Sequence, residues 1–433
     1  MDHMAVTGRR TLVLRFADLG VATYASLRVV GQPWRTVTWV IEEPILLAAV
    51  QEIVGATPDP HNGETRPQAI ERAVTSGGFA DPGRELALAY ILGVLLISGP
   101  GWQLLADSQD GTLFVAPSAR LASVPWCLLA RPTSGPTPAE LLQARAEAIT
   151  TSGTSAATIP WQLADLAEHT DGRRLIEFVD VLSAVPANVT NATRPQRNWD
   201  DSAPSLLLLD PRVPGQRPDS ELGSVLGRPD PASALVRHFG AVEHFRRADA
   251  DRTWLARRLE EAPGRLMYVG HASAADGEVG VADRAALHLC CAATIPGKAS
   301  PVGPHRPLTA ADIREMALPI PPRVALLACG SGADYRFDEA TGLAAAMVLG
   351  GAQLVTATLW ALPTTAGFRR FGPDADPMAE LVIAVDTAHV EADAGRAVNR
   401  WQRAQLSRWR AGDLTASPLY WSALVSFAVD GAR

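Results

Sequence analysis

One alternation dominates the second half of this chain: short apolar runs of strand length with helix-period segments between them. Leu266 to Val269, Val324 to Ala328 and Leu354 to Trp360 are the runs. The helical segments are Ala250 to Glu261, Pro307 to Met316 with Thr309 as candidate N-cap, Thr341 to Leu349 stopped by Gly350-Gly351, and Arg396 to Arg410. Strands that are apolar throughout, without inside–outside alternation, belong to a sheet covered on both faces, and helical crossovers make such a sheet parallel. The expected fold class is α/β, with a mainly parallel sheet flanked by helices and an α/β lobe at the N-terminal side.

The first half is less regular. Thr11 to Phe16 and Val21 to Val30, separated by Asp18-Leu19-Gly20, read as a hairpin, and Pro44 to Val54 as a helix begun by a proline. Thr57 to Gly83 is rich in Pro, Gly and polar residues and predicts a loop or lobe boundary. Arg84 to Ile97 then reads as a buried helix. Strand-type runs follow at Thr112 to Ala116, Val124 to Leu129, Leu175 to Leu182 and Leu206 to Asp210, with a partly mobile stretch from 133 to 172. A linker crowded with Pro, Gly, Asp and Arg spans Pro211 to Pro231. The expected divisions are therefore 1–83, a hairpin and helix region; 84–210, an N-terminal lobe; and 232–433, the domain with the alternating pattern.

With 433 residues, 47% of them hydrophobic, the chain can bury at least one full core. A formal charge of −7 opposes a broad nucleic-acid footprint, so no direct nucleic-acid partner is expected. Four cysteines, Cys127, Cys290, Cys291 and Cys329, contain no C-x-x-C, which predicts neither a disulfide framework nor a zinc cage. The longest apolar run, Leu86 to Ile97, is short of the roughly 20 residues that span a bilayer. The chain opens on no cationic-then-apolar signal, and the expected location is cytoplasmic. No phosphate-binding glycine motif is present.

Two of the predicted strands deliver reactive side chains just past their carboxyl ends. His271 follows Leu266 to Val269 and Gly270, and Cys329 follows Val324 to Ala328. In open α/β sheets that edge is where ligands bind. The separation, 329 − 271 = 58 residues, allows one crossover and a long loop, so the two ends can lie side by side. A thiol near neutral pH is only a few per cent thiolate, and a neighbouring imidazole activates it. Attack on an amide then creates an oxyanion that needs preset N–H donors, for which the backbone of Ala272 and Cys329 is the candidate. The small residues Gly270, Ala272 and Gly330 leave room there. A cysteine at an apolar strand end is often only a small buried hydrophobe. Buried packing, rather than redox chemistry, is expected for Cys290 and Cys291. His288 would share a face with Cys290 in extended chain, but a metal reading lacks further ligands at useful spacing.

Stretches in order along the chain carry a resemblance: Leu113-Phe-Val-Ala-Pro-Ser and Val124-Pro-Trp; Leu206-Leu-Leu-Leu-Asp-Pro; Met267-Tyr-Val-Gly-His-Ala; Leu308-Thr-Ala-Ala-Asp-Ile; Ala325-Leu-Leu-Ala-Cys-Gly-Ser; Gly342-Leu-Ala-Ala-Ala-Met-Val-Leu-Gly-Gly-Ala-Gln-Leu-Val-Thr-Ala-Thr-Leu-Trp; and Pro418-Leu-Tyr-Trp-Ser-Ala-Leu. Over roughly residues 85 to 430 the chain resembles CHAT domains, caspase-like cysteine peptidases of the clan that holds caspases, separase and gingipains. The resemblance implies a caspase-like fold, with 84–210 as the N-terminal CHAT lobe, and an endopeptidase with a His271–Cys329 dyad and neither metal nor cofactor. It also implies a protein substrate, a bacterial defence or regulatory setting, and activation by a sensor or partner protein. The strand end Thr356 to Trp360 should border the cleft, with Thr358 and Trp360 binding substrate and a peptide adding along it as a strand. Whether Trp360 lines a specificity pocket or belongs to the core stays open. The acidic residues Asp276, Glu278 and Asp283 could select a basic P1 residue or form a solvated loop.

The chain departs from the family pattern in three places. Ala272 replaces the usual Gly after the histidine, Gly330-Ser331 replace Glu-Thr after the cysteine, and Ala361-Leu-Pro-Thr-Thr replaces Val-Asp-Asp. The first two feed the alternative reading, a caspase-like interaction module without turnover. The same dyad could also serve an amidase or acyltransferase, which the resemblance disfavours.

Overall fold

The computed structural model describes residues 9–152, 166–217, 220–273, 282–332 and 342–429. In chain order its strands are β1 (Thr11–Asp18), β2 (Ala22–Val29), β3 (Gln32–Glu42), β4 (Thr112–Ala116), β5 (Ala130–Pro132), β6 (Thr170–Arg174), β7 (Asp180–Ala184) and β8 (Ser205–Leu209). They continue with β9 (Arg265–Gly270), β10 (Ala272–Ser273), β11 (Ala286–Leu287), β12 (Leu308–Thr309), β13 (Arg323–Ala328), β14 (Leu354–Thr358) and β15 (Leu424–Ala428). Ten of them form one sheet in the order β3-β2-β1-β4-β7-β15-β14-β13-β9-β8. Six of its nine neighbour pairings are parallel, the expected α/β class.

The apolar runs behave as central strands. Every residue of β13 is buried, and its side chains divide between two cores by the period of two. Met267, Val269, Ala325 and Leu327 join one cluster, while Leu266, Tyr268, Val324 and Leu326 join the other. Helices therefore cover both faces, as the alternation predicts. Among them, Thr309 caps the helix Ala310–Glu315 by accepting from the N–H of Asp312. Arg323, at the start of β13, sends its guanidinium to the carbonyls of His389, Glu391 and Ala392.

The N-terminal hairpin is larger than expected and joins the same sheet. β1 pairs with β2 antiparallel and with β4 parallel. No strand is expected between Val30 and Pro44, yet β3 fills that interval and pairs along β2. Helix α1 (Glu43–Ala56) follows it.

Three local expectations need correction. The predicted boundary at 57–83 contains a helix, α2 (Arg66–Thr75), whose polar composition hides a short buried stripe of Ala69, Ile70 and Ala73. The run Leu175 to Leu182 is a 3-10 turn followed by β7, because the Arg174 N–H donates to the Glu177 carboxylate and closes the chain on itself. Val124 to Leu129 likewise forms a turn over Trp126–Leu128, since Pro125 has no N–H for a ladder. Helix α3 (Pro82–Leu96) is largely buried, as predicted. Among the described residues no single helix is long and apolar enough to cross a membrane. Within the stretch expected to be partly mobile, Pro138–Ser152 is a helix, and 153–165 lie outside the described residues.

Candidate active site

β9 and β13 are adjacent and parallel, with register pairs running from Arg323 with Arg265 to Ala328 with Gly270. His271 and Cys329 are the next residue on each, past a shared last pair of strands about 4.8 Å apart. Their positions continue the face already occupied by Val269 and Leu327. The fold thus sets the two residues side by side at one edge of the sheet.

His271 is fixed from several directions. Its Nε2 lies 3.0 Å from the carbonyl oxygen of Gly223. A carbonyl only accepts, so Nε2 carries the hydrogen and the neutral ring keeps its lone pair on Nδ1. The Tyr268 hydroxyl stands 2.6 Å from the His271 carbonyl and 3.0 Å from that of His288. Gly270 is required for that approach, because a Cβ there would lie 2.7 Å from the Tyr268 oxygen. Burial pushes the His271 imidazole below its ordinary value. The Gly223 carbonyl and Asp210 oppose the shift, and Arg66 and Arg246 add to it.

Cys329 differs from the other three thiols. Cys127, Cys290 and Cys291 are buried; burial pushes Cys127 up to about 12 and Cys290 up to about 11, and raises Cys291 as well. Cys329 is partly exposed and lines a cavity of about 440 Å³ together with Ala272, Gly330 and Trp360. The N-terminal half completes the walls through Val50, Ile53, Asp59 and Arg120. His271 is not on the lining and is 7% exposed.

Ala272 sits on β10, at the edge of a three-stranded sheet. The His288 N–H donates to the His271 carbonyl, flanking the Ala272–Leu287 pair. In an antiparallel ladder that pattern makes Ala272 and Leu287 a non-hydrogen-bonded pair, so the Ala272 N–H points away from β11. Gly330 adopts φ +61°, in the left-handed region that favours glycine. Ser331 ties the ends of β13 and β14, donating to the Leu326 carbonyl at 2.6 Å and accepting from the Thr358 N–H at 3.2 Å. Both departures after the cysteine thus have a backbone role.

The expected peptide-binding strand end is different in the structure. β14 is flanked by β13 and β15. The Thr358 carbonyl accepts from the Gly332 N–H, and the Leu359 N–H donates to Ala423. Neither edge is open to an added strand. Thr358 is fully buried, with its hydroxyl donating to the Ala328 carbonyl, so it braces the strand ends and does not face the cavity. Trp360 is both core and wall. It is 1% exposed, its Nε1–H donates to the Leu419 carbonyl at 3.0 Å, its ring stacks on Phe79, and it borders the cavity.

Several neighbours of the site lie in segments read as loop or linker. Arg66, the first residue of α2, donates to the Cys329 sulfur at 3.6 Å. Asp59 accepts from the Ala361 N–H at 3.2 Å, tying the residue after Trp360 to the N-terminal half. In the 211–231 linker Gly223 meets His271, and Ser224, Val225 and Leu226 donate to the buried carboxylate of Asp210. Arg246 donates both to Asp210 and to the Gly223 carbonyl, each at 3.2 Å. Only Asp210 carried a signal, as the polar end of an apolar strand.

His288 faces His305, Nδ1 to Nε2 at 3.1 Å, and not a metal-ligand set. Among the described residues no three His, Cys, Asp or Glu side chains are grouped to hold an ion. Asp283 pairs with Arg314 at 3.5 Å; Asp276 and Glu278 lie outside the described residues.

Among known protein families, the CHAT domain matches residues 87–429. No curated protein matches the chain. Among solved structures, a chain of the Saccharomyces cerevisiae separase–securin complex is similar at 12% identity with a TM-score of 0.41, over 97% of this chain and 30% of that one. The chain thus spans less than a third of that relative's length.

Proposed function

The chain belongs to the CHAT domain family, and from that premise we propose that it is a caspase-like cysteine endopeptidase with Cys329 as nucleophile and His271 as base. The observation that carries the reading is the register of β9 and β13, which ends both strands at one level and places a histidine after one and a cysteine after the other. The cavity that Cys329 lines supplies a route for substrate.

In this reading the Cys329 sulfur attacks the carbonyl carbon of the scissile amide as its proton passes to His271 Nδ1. The Gly223 carbonyl supports the imidazolium through Nε2–H. The N–H groups of Ala272 and Cys329 meet the oxyanion. The C–N bond then breaks, with the proton on Nδ1 going to the leaving amine, and an S-acyl enzyme remains. Water attacks that thioester while Nδ1 takes its proton, releasing the acid and restoring the thiol. Trp360 and the N-terminal wall would bound the substrate chain. The proposed substrate is one or a few proteins, with a separate activating protein, in a cytoplasmic bacterial defence or regulatory system; the family resemblance alone supports that setting.

The test is alkylation with iodoacetamide, read cysteine by cysteine by mass spectrometry, followed by cleavage of a denatured protein mixture. Cys329 should label first and His271→Ala should slow it, while Cys329→Ala abolishes cleavage. Equal labelling of all four thiols, or labelling of Cys329 indifferent to His271→Ala, would point instead to the interaction module without turnover.

A further inference from the structure

We propose that Arg66 is a further catalytic residue, a fixed guanidinium that stabilises the negative charge appearing on the Cys329 sulfur as its proton leaves. The inference rests on Cys329 being the nucleophile and adds a partner that the dyad does not contain. Arg66 also lies outside the residues matched by the family, 87–429, so the charge comes from the N-terminal segment.

Arg66 reaches Cys329 from across the chain, 263 residues away in sequence, and its N–H donates to Sγ at 3.6 Å. The segment that delivers it is braced. At the start of α2, Thr65 donates both its N–H and its hydroxyl to the Gln68 side-chain oxygen, at 2.9 and 2.8 Å. Arg72, six residues further along α2, ties the helix to the preceding loop through Glu64 at 2.8 Å and the Asp59 carbonyl, and to the end of α1 through the Gly55 carbonyl. Asp59 in that loop then accepts from the Ala361 N–H, and both residues line the cavity. The guanidinium is therefore positioned by a folded unit and not by a free side chain.

The chemistry of the site calls for such a cation. A thiolate is the nucleophilic form and needs a positive neighbour. Burial keeps the His271 imidazole from charging easily, so an imidazolium is a poor standing counter-ion. Arginine carries its charge at every working pH. Burial acts against the Arg66 charge, and the interactions with Cys329, Asp59 and Glu221 outweigh it. The contact also leaves the sulfur open: Cys329 borders the cavity, whereas Arg66 is not on its lining. When the S–H bond breaks, the proton goes to His271 Nδ1 and the negative charge left on sulfur faces Arg66. When the S–C bond forms, that charge moves to the substrate oxygen.

The rival is a guanidinium that merely covers the sulfur, and the two differ in sign. The full-length chain, with Arg66→Ala, Arg66→Gln, Arg66→Lys and His271→Ala variants, is alkylated with iodoacetamide between pH 6 and 9, with Cys329 followed by mass spectrometry. Arg66→Ala and Arg66→Gln should slow Cys329 about tenfold at pH 7, equivalent to about 1.4 kcal/mol, and approach the wild-type rate at pH 9. Arg66→Lys should keep most of the rate. If Arg66→Ala proves too unstable, the Gln and Lys variants still separate charge from bulk. Alkylation of Arg66→Gln at the wild-type rate or faster at pH 7 overturns the proposal. A slow Arg66→Gln beside an unaffected His271→Ala would show that the guanidinium activates the sulfur while the dyad, and the turnover built on it, fails; the reverse pattern removes Arg66 and leaves the dyad intact.

Discussion

His271 donates its Nε2–H to the backbone carbonyl of Gly223 at 3.0 Å, so the group that orients the proposed base belongs to a loop and its position depends on whatever holds that loop. Asp210 does so. Its carboxylate accepts from the Ser224 hydroxyl at 2.6 Å, from the N–H groups of Val225 and Leu226, and from Arg246, which also donates to the Gly223 carbonyl.

Asp210→Asn should therefore slow peptide cleavage about 10–100-fold without unfolding the protein, because small misplacements of a base are that costly. Asp210→Ala leaves several buried donors unpaired and should in addition lower stability by about 1–3 kcal/mol. Turnover of both variants, set against their urea unfolding curves, checks the pair. A fully active Asp210→Asn enzyme would show that the loop holds Gly223 without this carboxylate.

The α/β class, the central strands and the edge bearing His271 and Cys329 are legible in the sequence because full apolarity and strand length are local properties. Leu266 to Val269 and Val324 to Ala328 can be read without knowing their neighbours. The partners Gly223, Arg66 and Asp59 are not legible, because each acts through a contact made across the sheet from a segment whose own composition reads as loop. Thr358 misleads for a related reason. A polar residue at a strand end looks available until the hydrogen bonds it accepts from the Gly332 N–H and donates to Ser331 and Ala328 are seen to use it up. β3 alternates in the way a strand should, but Pro33 and Arg35 beside the Gly31 turn hide the pattern.

Arg174 and Glu85 join β6 to α3 as a buried ion pair, 2.7 Å apart with side chains 2% and 0% exposed. Removing one member strands the other charge away from water. Glu85→Ala should lower unfolding stability by about 3–5 kcal/mol. The double replacement Glu85→Leu with Arg174→Met should recover much of that loss, since apolar groups of similar bulk often replace such pairs well. Denaturant unfolding of the two variants distinguishes them; equal losses would show that shape, not stranded charge, sets the cost.

Buried histidines set a pH window for stability. Burial lowers His288, beside His305 and His271, to about 3; it lowers His389, near Arg323 and Arg265, to about 3 as well. In the unfolded chain both take up protons near pH 6.5. The unfolded state then binds more protons than the folded one as pH falls from about 6.5 toward 3, so stability declines on acidification. Each contributes up to about 1.4 kcal/mol per pH unit. Urea midpoints measured from pH 7 to pH 5 should fall, and His389→Gln should flatten the slope. Because burial also lowers His271, the acid limb of cleavage should lie below the ordinary imidazole range and be lost only as His271 takes a proton.

Gly330 separates backbone requirement from cavity shape. At φ +61° a Cβ there would meet no heavy atom within 4 Å, so a side chain costs only the left-handed backbone, roughly 1–2 kcal/mol for an ordinary residue. Gly330→Ala should lower stability by about that amount, and Gly330→Asn by less, since asparagine tolerates this region. Gly330 also lines the cavity beside Cys329. Asparagine should thus reduce cleavage more than its small stability loss explains, by intruding where substrate passes, whereas alanine should do the opposite. Thermal unfolding and cleavage rates of the two variants, measured side by side, test that crossover; rates that simply follow stability would mean Gly330 serves the turn alone.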